Sequence, residues 1–166
     1  MKILIISDSH DNVPNLEKVL KWAQTNDIGA LIHAGDLSAP SVLIKTLSPR
    51  FNKEIYLING NVTDKELLAK ASKDLANVKY LGDEGEVQLG GKKIYVTHFP
   101  QRAQVIASAG VYDLVIHGHT HQAGVAPVGD KQILNPGTLG GLYYPPTFSI
   151  YDTTTGEVKI GNLSDI

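Results

Sequence analysis

Ile3-Leu4-Ile5-Ile6-Ser7-Asp8-Ser9-His10 decides the fold: four apolar residues in a row, then a carboxylate and an imidazole two positions apart. A short, β-branched apolar run that stops at turn formers reads as a strand buried on both faces, as in parallel sheets covered on each side. The same unit recurs along the chain. Residues 30–32 lead into Gly35-Asp36, residues 55–58 into Gly60-Asn61, residues 94–96 into Thr97-His98, and Leu114–Ile116 into Gly118-His119-Thr120-His121.

Between these runs lie amphipathic segments. Leu16, Val19, Leu20 and Ala23 fall at i, i+3, i+4 and i+7, with Pro14 suited to a first helical turn. Val42, Leu43 and Leu47 suggest a second helix. Leu67, Leu68, Ala71 and Leu75 suggest a third, opened by a capping box from Thr63 to Glu66. Val105, Ile106 and Ala109 suggest a fourth, with Gly110 just past its end. Alternation of this kind implies an α/β fold with parallel strands and right-handed crossovers.

The last third changes character. Gly124–Val128 and residues 132–135, 148–151 and 158–160 look like short strands, joined by turns such as Gly129-Asp130 and Thr155-Gly156. They are expected to pack as a second sheet, and residues 78–81 and 87–89 add two more strands before the Gly90-Gly91 turn. With no repeat, linker or low-complexity tract, residues 1–166 read as a single domain.

Composition removes several function classes. The absence of cysteine excludes disulfides, thiolate metal sites and a cysteine nucleophile, and it suits a reducing cytoplasm, the expected location. A net charge of −2, from 17 acidic and 15 basic residues without long runs of either, offers no extended nucleic-acid surface. The N-terminal apolar run is shorter than the ~7–15 residues of a signal-peptide core. No stretch approaches the ~18 apolar residues of a membrane helix, so no membrane partner is expected.

The chemistry lies beyond the strand ends. A lone strand-end Asp or Asn is more often a turn former or helix cap than a ligand. Five strand ends that each finish in an oxygen or imidazole donor are a different matter, because the crevice beyond strand carboxyl ends is where α/β sheets bind ligands. Asp8, His10, Asp36, Asn61, His98, His119 and His121 are thus candidate metal ligands. Mixed imidazole and oxygen donors without thiolate suit Mn²⁺, Fe, Zn²⁺, Co²⁺ or Ni²⁺ better than Mg²⁺. Two such ions beside two carboxylates leave about +2 to attract an anion, and a phosphate ester is the natural guest. Two ions can also share a water, lower its pKa and stabilise an in-line displacement.

Asp8-x-His10, Gly35-Asp36, Gly60-Asn61, His98 and Gly118-His119-x-His121, in that order, resemble the signature of calcineurin-like metallophosphoesterases. Asn135-Pro136-Gly137 resembles a turn of the small single-domain phosphodiesterases of that superfamily. The resemblance implies two mixed β-sheets sandwiched between helices, with the metals at one edge. It implies one ion, manganese for preference, on Asp8, His10, Asp36 and His121, and a second on Asp36, Asn61, His98 and His119. Asp36, Asn61 and His98 are the residues expected to be catalytic, with a metal-bridging hydroxide in place of a protein nucleophile. The function so implied is hydrolysis of small or activated phosphodiesters. A phosphomonoesterase is the alternative within enzymes, and a protein-interaction scaffold like the retromer subunit of this fold is the alternative outside them. Two positions depart from the pattern. Larger members follow Gly-Asn with His where this chain has Val62, with its acidic neighbour at Asp64; small members often follow the equivalent of His98 with glycine and histidine, where this chain has Phe99-Pro100.

Four further residues have two readings each. His33 and His117 read as packed or ligand-orienting rings rather than ligands. Asn12 is either a substrate contact or a helix cap, and Arg102 either a phosphate fork or a solvated helix residue. The apolar, aromatic stretch 139–146 is expected to line a substrate cleft or a subunit contact, the latter implying a homo-oligomer.

Overall fold

A computed structural model describes residues 1–166. Eleven strands form two mixed sheets. The first has the order β11(Glu157–Asn162)-β10(Thr147–Asp152)-β1(Lys2–Ile6)-β2(Ile28–His33)-β3(Glu54–Leu57)-β4(Val78–Tyr80). Strands β1 to β4 run parallel, and β10 and β11 join antiparallel beside β1. The second has the order β5(Glu84–Leu89)-β6(Lys92–Thr97)-β7(Leu114–Ile116)-β9(Lys131–Asn135)-β8(Gly124–Val128), with β6, β7 and β9 parallel and antiparallel strands at both edges. Pro127 sits in edge strand β8, where a missing N–H is tolerated.

The alternation of β1 shows how the layers form. Leu4 and Ile6 join a core against helices α1(Val13–Thr25) and α4(Lys65–Lys73), together with Leu16, Val19, Leu20 and Leu68. Ile3 and Ile5 point the other way, into a core shared with Ile94, Val96, Leu114 and Ile116 of the second sheet. Successive strand residues face opposite sides, so one apolar run serves two cores. The far face of the second sheet is covered by α5(Pro100–Ser108) through Ala103 and Ala107 against Val115 and Ile133. The result is the expected sandwich of helix, sheet, sheet and helix.

Several details differ from the sequence reading. The second sheet is not the C-terminal third: β5, β6 and β7 supply most of it, and the β10–β11 hairpin returns to the first sheet. The third helix is capped by Asp64, whose side chain accepts the Leu67 N–H at 3.1 Å, and not by Thr63. The Thr63 hydroxyl is already used, accepting from Gly60 N–H and donating to the Leu37 carbonyl. Val105 is exposed, because α5 packs through its alanines. The second helix runs as α2(Pro40–Val42), a π-helical turn (Leu43–Leu47) and α3(Ser48–Arg50). Pro49 has no N–H to give the helical ladder, and the Arg50 guanidinium takes the Lys45 carbonyl instead.

Candidate metal centre

The site forms where the carboxyl ends of strands from both sheets meet, rather than along one open sheet. The first sheet brings Asp8, His10, Asp36 and Asn61 after β1, β2 and β3; the second brings His98, His119 and His121 after β6 and β7. Backbone hydrogen bonds lock the loops together: Asp8 N–H to the Gly35 carbonyl, His10 N–H to the Asp36 carbonyl, and Gly118 N–H to the His98 carbonyl.

All seven sequence-predicted ligands come together. Asp8, fully buried, accepts the His119 backbone N–H on both oxygens, and its Oδ1 lies 3.2 Å from His121 Nε2. Asp36 accepts the Val62 backbone N–H on Oδ1, while Oδ2 lies 3.4 Å from His98 Nε2 and 3.8 Å from His10 Nε2. Asn61 Oδ1 lies 3.1 Å from His98 Nε2 and 2.8 Å from His119 Nδ1. Nε2 of His10 and of His121 are 3.3 Å apart. Two groups, Asp8-His10-His121 and Asp8-Asp36-His98, each have donor atoms within 4.8 Å of one another.

Proton accounting shows what the cluster is built to receive. A carbonyl only accepts, so His98 donates Nδ1–H to the Ala34 carbonyl at 2.9 Å, and His121 donates Nδ1–H to the Leu142 carbonyl at 3.1 Å. In the neutral rings Nε2 is then a bare lone pair, the state a metal requires. These lone pairs face carboxylate and amide oxygens that carry no proton either. His98 is raised above the ordinary histidine range: burial opposes its charged form, but hydrogen bonds with Asp36 and Ala34 and the charges of Asp36 and Asp8 outweigh it. Asp36 is lowered: burial opposes ionisation, but the hydrogen bonds from His98 and the Val62 N–H prevail. The donor set therefore fits divalent ions.

The glycines before Asp36, Asn61 and His119 have a steric reason. A Cβ on Gly60 would lie 2.6 Å from Asp36 Cγ, one on Gly118 3.1 Å from Ser7 Cβ, and one on Gly35 2.9 Å from His98 Cγ. Five of the seven ligands also have left-handed backbone: Asp8 (φ 49°), His10 (42°), Asp36 (58°), His119 (69°) and His121 (61°). Such conformations cost energy for non-glycine residues and cluster at functional sites.

The remaining candidates fall into structural roles. Asn12 caps α1, accepting the Asn15 N–H and donating to the Gly140 carbonyl. The Arg102 guanidinium forks onto Glu84, with Nη2 2.7 Å and Nε 2.8 Å from its two oxygens. The hydrogen bonds of both side chains thus go to the protein itself, and for Asn12 that is the helix-cap reading. His33 is buried with Nε2 2.9 Å from Ser9 Oγ and Nδ1 unpartnered; burial pushes it down to about 3, against the opposing charge of Asp36. His117 rests against the Gly118 carbonyl, and burial lowers it too.

Some contributors were missed in the sequence. Thr138 donates to the Asp8 carbonyl, and Asp11 accepts the Ser38 and Ala39 N–H groups. Neither carries a local signal beyond being a polar residue near a turn. Asn135, in the noted Asn-Pro-Gly turn, braces the second-sheet loop through the Gly118 carbonyl and the Thr120 hydroxyl.

Residues 1–156 match the calcineurin-like phosphoesterase superfamily domain. A phosphodiesterase of Methanocaldococcus jannaschii is 31% identical over 163 residues, covering 96% of this chain and 97% of that protein. A probable metallophosphoesterase of Bacillus subtilis is 28% identical over 147 residues, covering 84% of this chain and 75% of that protein. The solved structure of an archaeal phosphodiesterase superposes with a TM-score of 0.88 at 31% identity, covering 98% and 99% of the two chains. Zinc-bound Vps29 of Entamoeba histolytica superposes at 0.68 with 22% identity over 97% of each chain, a likeness of fold alone. With the family matched over nearly all of its length, the chain belongs to the calcineurin-like phosphoesterase superfamily and is a phosphoesterase.

Proposed function

We propose that the chain is a cytoplasmic phosphodiesterase that works with two divalent transition-metal ions and acts on small or activated diesters. The observation that carries this reading is the convergence of histidine Nε2 atoms and carboxylate oxygens from both sheets. Asp8, His10, Asp36 and His121 would hold one ion, and Asp36, Asn61, His98 and His119 the other. Asp36 suits the shared position because its Oδ2 lies within 3.8 Å of Nε2 of both His98 and His10. When bound, the ions supply positive charge for the phosphoryl oxygens and lower the pKa of a shared water.

The protein's part is positioning. Ala34 and Leu142 carbonyls fix the tautomers of His98 and His121, and the Val62 N–H holds the Asp36 carboxylate. Asn61 adds an oxygen donor without adding negative charge, which preserves attraction for an anionic ester. The likeness to the archaeal phosphodiesterase supports a diester over a monoester. Val62, apolar and 45% exposed where larger relatives carry histidine, supports it too, since a monoester presents more charge to be met by donors.

The test is metal dependence. Chelator-stripped protein should lose turnover of bis(4-nitrophenyl) phosphate, and Mn²⁺, Co²⁺ or Ni²⁺ should restore it better than Mg²⁺. Turnover that survives verified removal of metal would sink the proposal, and faster turnover of 4-nitrophenyl phosphate than of the diester would sink the diester preference.

A further inference from the structure

Two exposed aromatic rings stand at the metal centre without a structural role. Phe99 follows His98 directly and is 44% exposed. Its ring centroid lies 5.3 Å from that of His98 and 5.0 Å from that of His119, both nearly edge to face. Tyr143 is 93% exposed, with its ring 6.0 Å from that of His121 and tilted 34° to it. Each half of the ligand cluster thus has one aromatic ring beside it: Phe99 at the His98–His119 pair, Tyr143 at the His10–His121 pair.

The backbone near both rings is constrained. Pro100 restricts the backbone of Phe99 to the extended region, where it is found, and the Phe99 carbonyl accepts the Ala103 N–H at the start of α5. Tyr143 has φ 67°, an outlier for a bulky residue. Its loop is pinned by Leu139 N–H on the Ser7 carbonyl, Gly140 N–H on the Asp8 carbonyl and Gly141 N–H on the Thr138 hydroxyl. Core burial explains neither ring. Strain kept at an exposed ring beside a reactive centre points to a ligand.

We infer that Phe99 and Tyr143 select phosphodiesters whose ester groups are flat rings, aryl or nucleobase, by stacking them on either side of the metal-bound phosphate. This rests on the diesterase reading and specifies its substrate class. An aromatic face favours a flat partner by about 0.5–1.5 kcal/mol beyond buried area, so each ring contributes about a 2- to 10-fold preference.

The test separates flatness from leaving-group chemistry by using ligands that cannot react. Diphenylphosphinate and dicyclohexylphosphinate have the same charge and similar size, and their P–C bonds resist hydrolysis. Binding of each to the metal-loaded protein is measured by calorimetry, with metal content and thermal melting checked for every variant. Wild type should favour the diphenyl compound, and F99L and Y143N should each reduce that preference about 2- to 10-fold with metal content unchanged. Asparagine suits the left-handed backbone at 143, so the loop is kept. In a further arm, tighter binding of a 5′-deoxynucleoside 5′-methylphosphinate, also joined only through P–C bonds, than of diphenylphosphinate would identify the ring as a nucleobase, and the reverse an aryl group. A wild-type preference near one, or one that neither variant reduces, overturns the inference while leaving diester turnover intact. No binding of either phosphinate together with no diester turnover overturns the diesterase reading beneath it.

Discussion

Gly60→Ala isolates the geometry of the shared carboxylate from its chemistry. Gly60 has no left-handed backbone to lose, so the substitution acts by volume alone. The added Cβ would sit 2.6 Å from Asp36 Cγ and closer still to its Oδ1 and backbone nitrogen. Carbons pack at about 3.5–4.0 Å, so carboxylate or loop must retreat by roughly 1 Å. The Asp36 carboxylate has little room to do so, held by the Val62 N–H on one oxygen and by His98 on the other. Overpacking of this kind costs about 1–3 kcal/mol of stability. A misplacement of about 1 Å at a reacting centre costs on the order of 10²-fold in rate. The expected variant is therefore folded by circular dichroism, depleted in bound metal by elemental analysis, and about 10²-fold slower with bis(4-nitrophenyl) phosphate. Gly124→Ala, where a Cβ meets nothing within 4 Å, is the control and should leave both quantities unchanged. Full metal content with turnover within threefold of wild type would refute the idea that glycine is required here to let Asp36 approach.

With Val62 offering only a backbone N–H, already given to Asp36, no side chain at that position protonates a leaving alkoxide. General-acid help is typically worth ~10²–10⁴-fold, so rates across diesters of graded leaving-group pKa should fall steeply; a flat series with chemistry rate-limiting would contradict this. His33 provides a pH signature. Its folded value of about 3 is depressed, so below the ordinary histidine value the unfolded chain takes a proton that the native chain refuses, and stability falls as pH falls. The loss is about 1.4 kcal/mol per pH unit, about 2 kcal/mol by pH 5, and urea titrations of His33→Gln should show a slope shallower by that amount. Parallel slopes would mean that His33 is not buried neutral.

The strands were legible because burial on both faces writes itself as an uninterrupted apolar run. What covers each face was not. Ile3 and Leu4 look alike in sequence, yet Ile3 meets the second sheet and Leu4 meets helices. The partner of the C-terminal hairpin was equally hidden, since nothing local to Tyr151 says that it will face Ile3 across an antiparallel pair. At the third helix two good caps stood side by side. Asp64 won because the Thr63 hydroxyl was committed to Gly60 and Leu37, a tertiary fact. On α5 the largest hydrophobes misled: Ala103 and Ala107 allow close approach to Val115 and Ile133, and Val105 is left in solvent.

The candidate ligands were legible by type and order, but the means of holding them was not. Neutral Nε2 atoms depend on two carbonyls, those of Ala34 and Leu142, that any residue could supply. Left-handed backbone at Asp8, His10, Asp36, His119 and His121 is invisible in a one-dimensional pattern, although Asp and His are among the residues that tolerate it best. Each such residue costs on the order of 1–3 kcal/mol and persists only where its surroundings over-determine it. Here the surroundings are the ends of two packed sheets, tied by Asp8 to Gly35, His10 to Asp36 and Gly118 to His98. The packed fold therefore supplies contacts that hold these conformations. A strand-end loop free to relax would place the same donors where entropy prefers, and metal affinity would then have to include the cost of ordering them. Placing the donors at the junction of both sheets moves that cost into folding, where the three cores offset it.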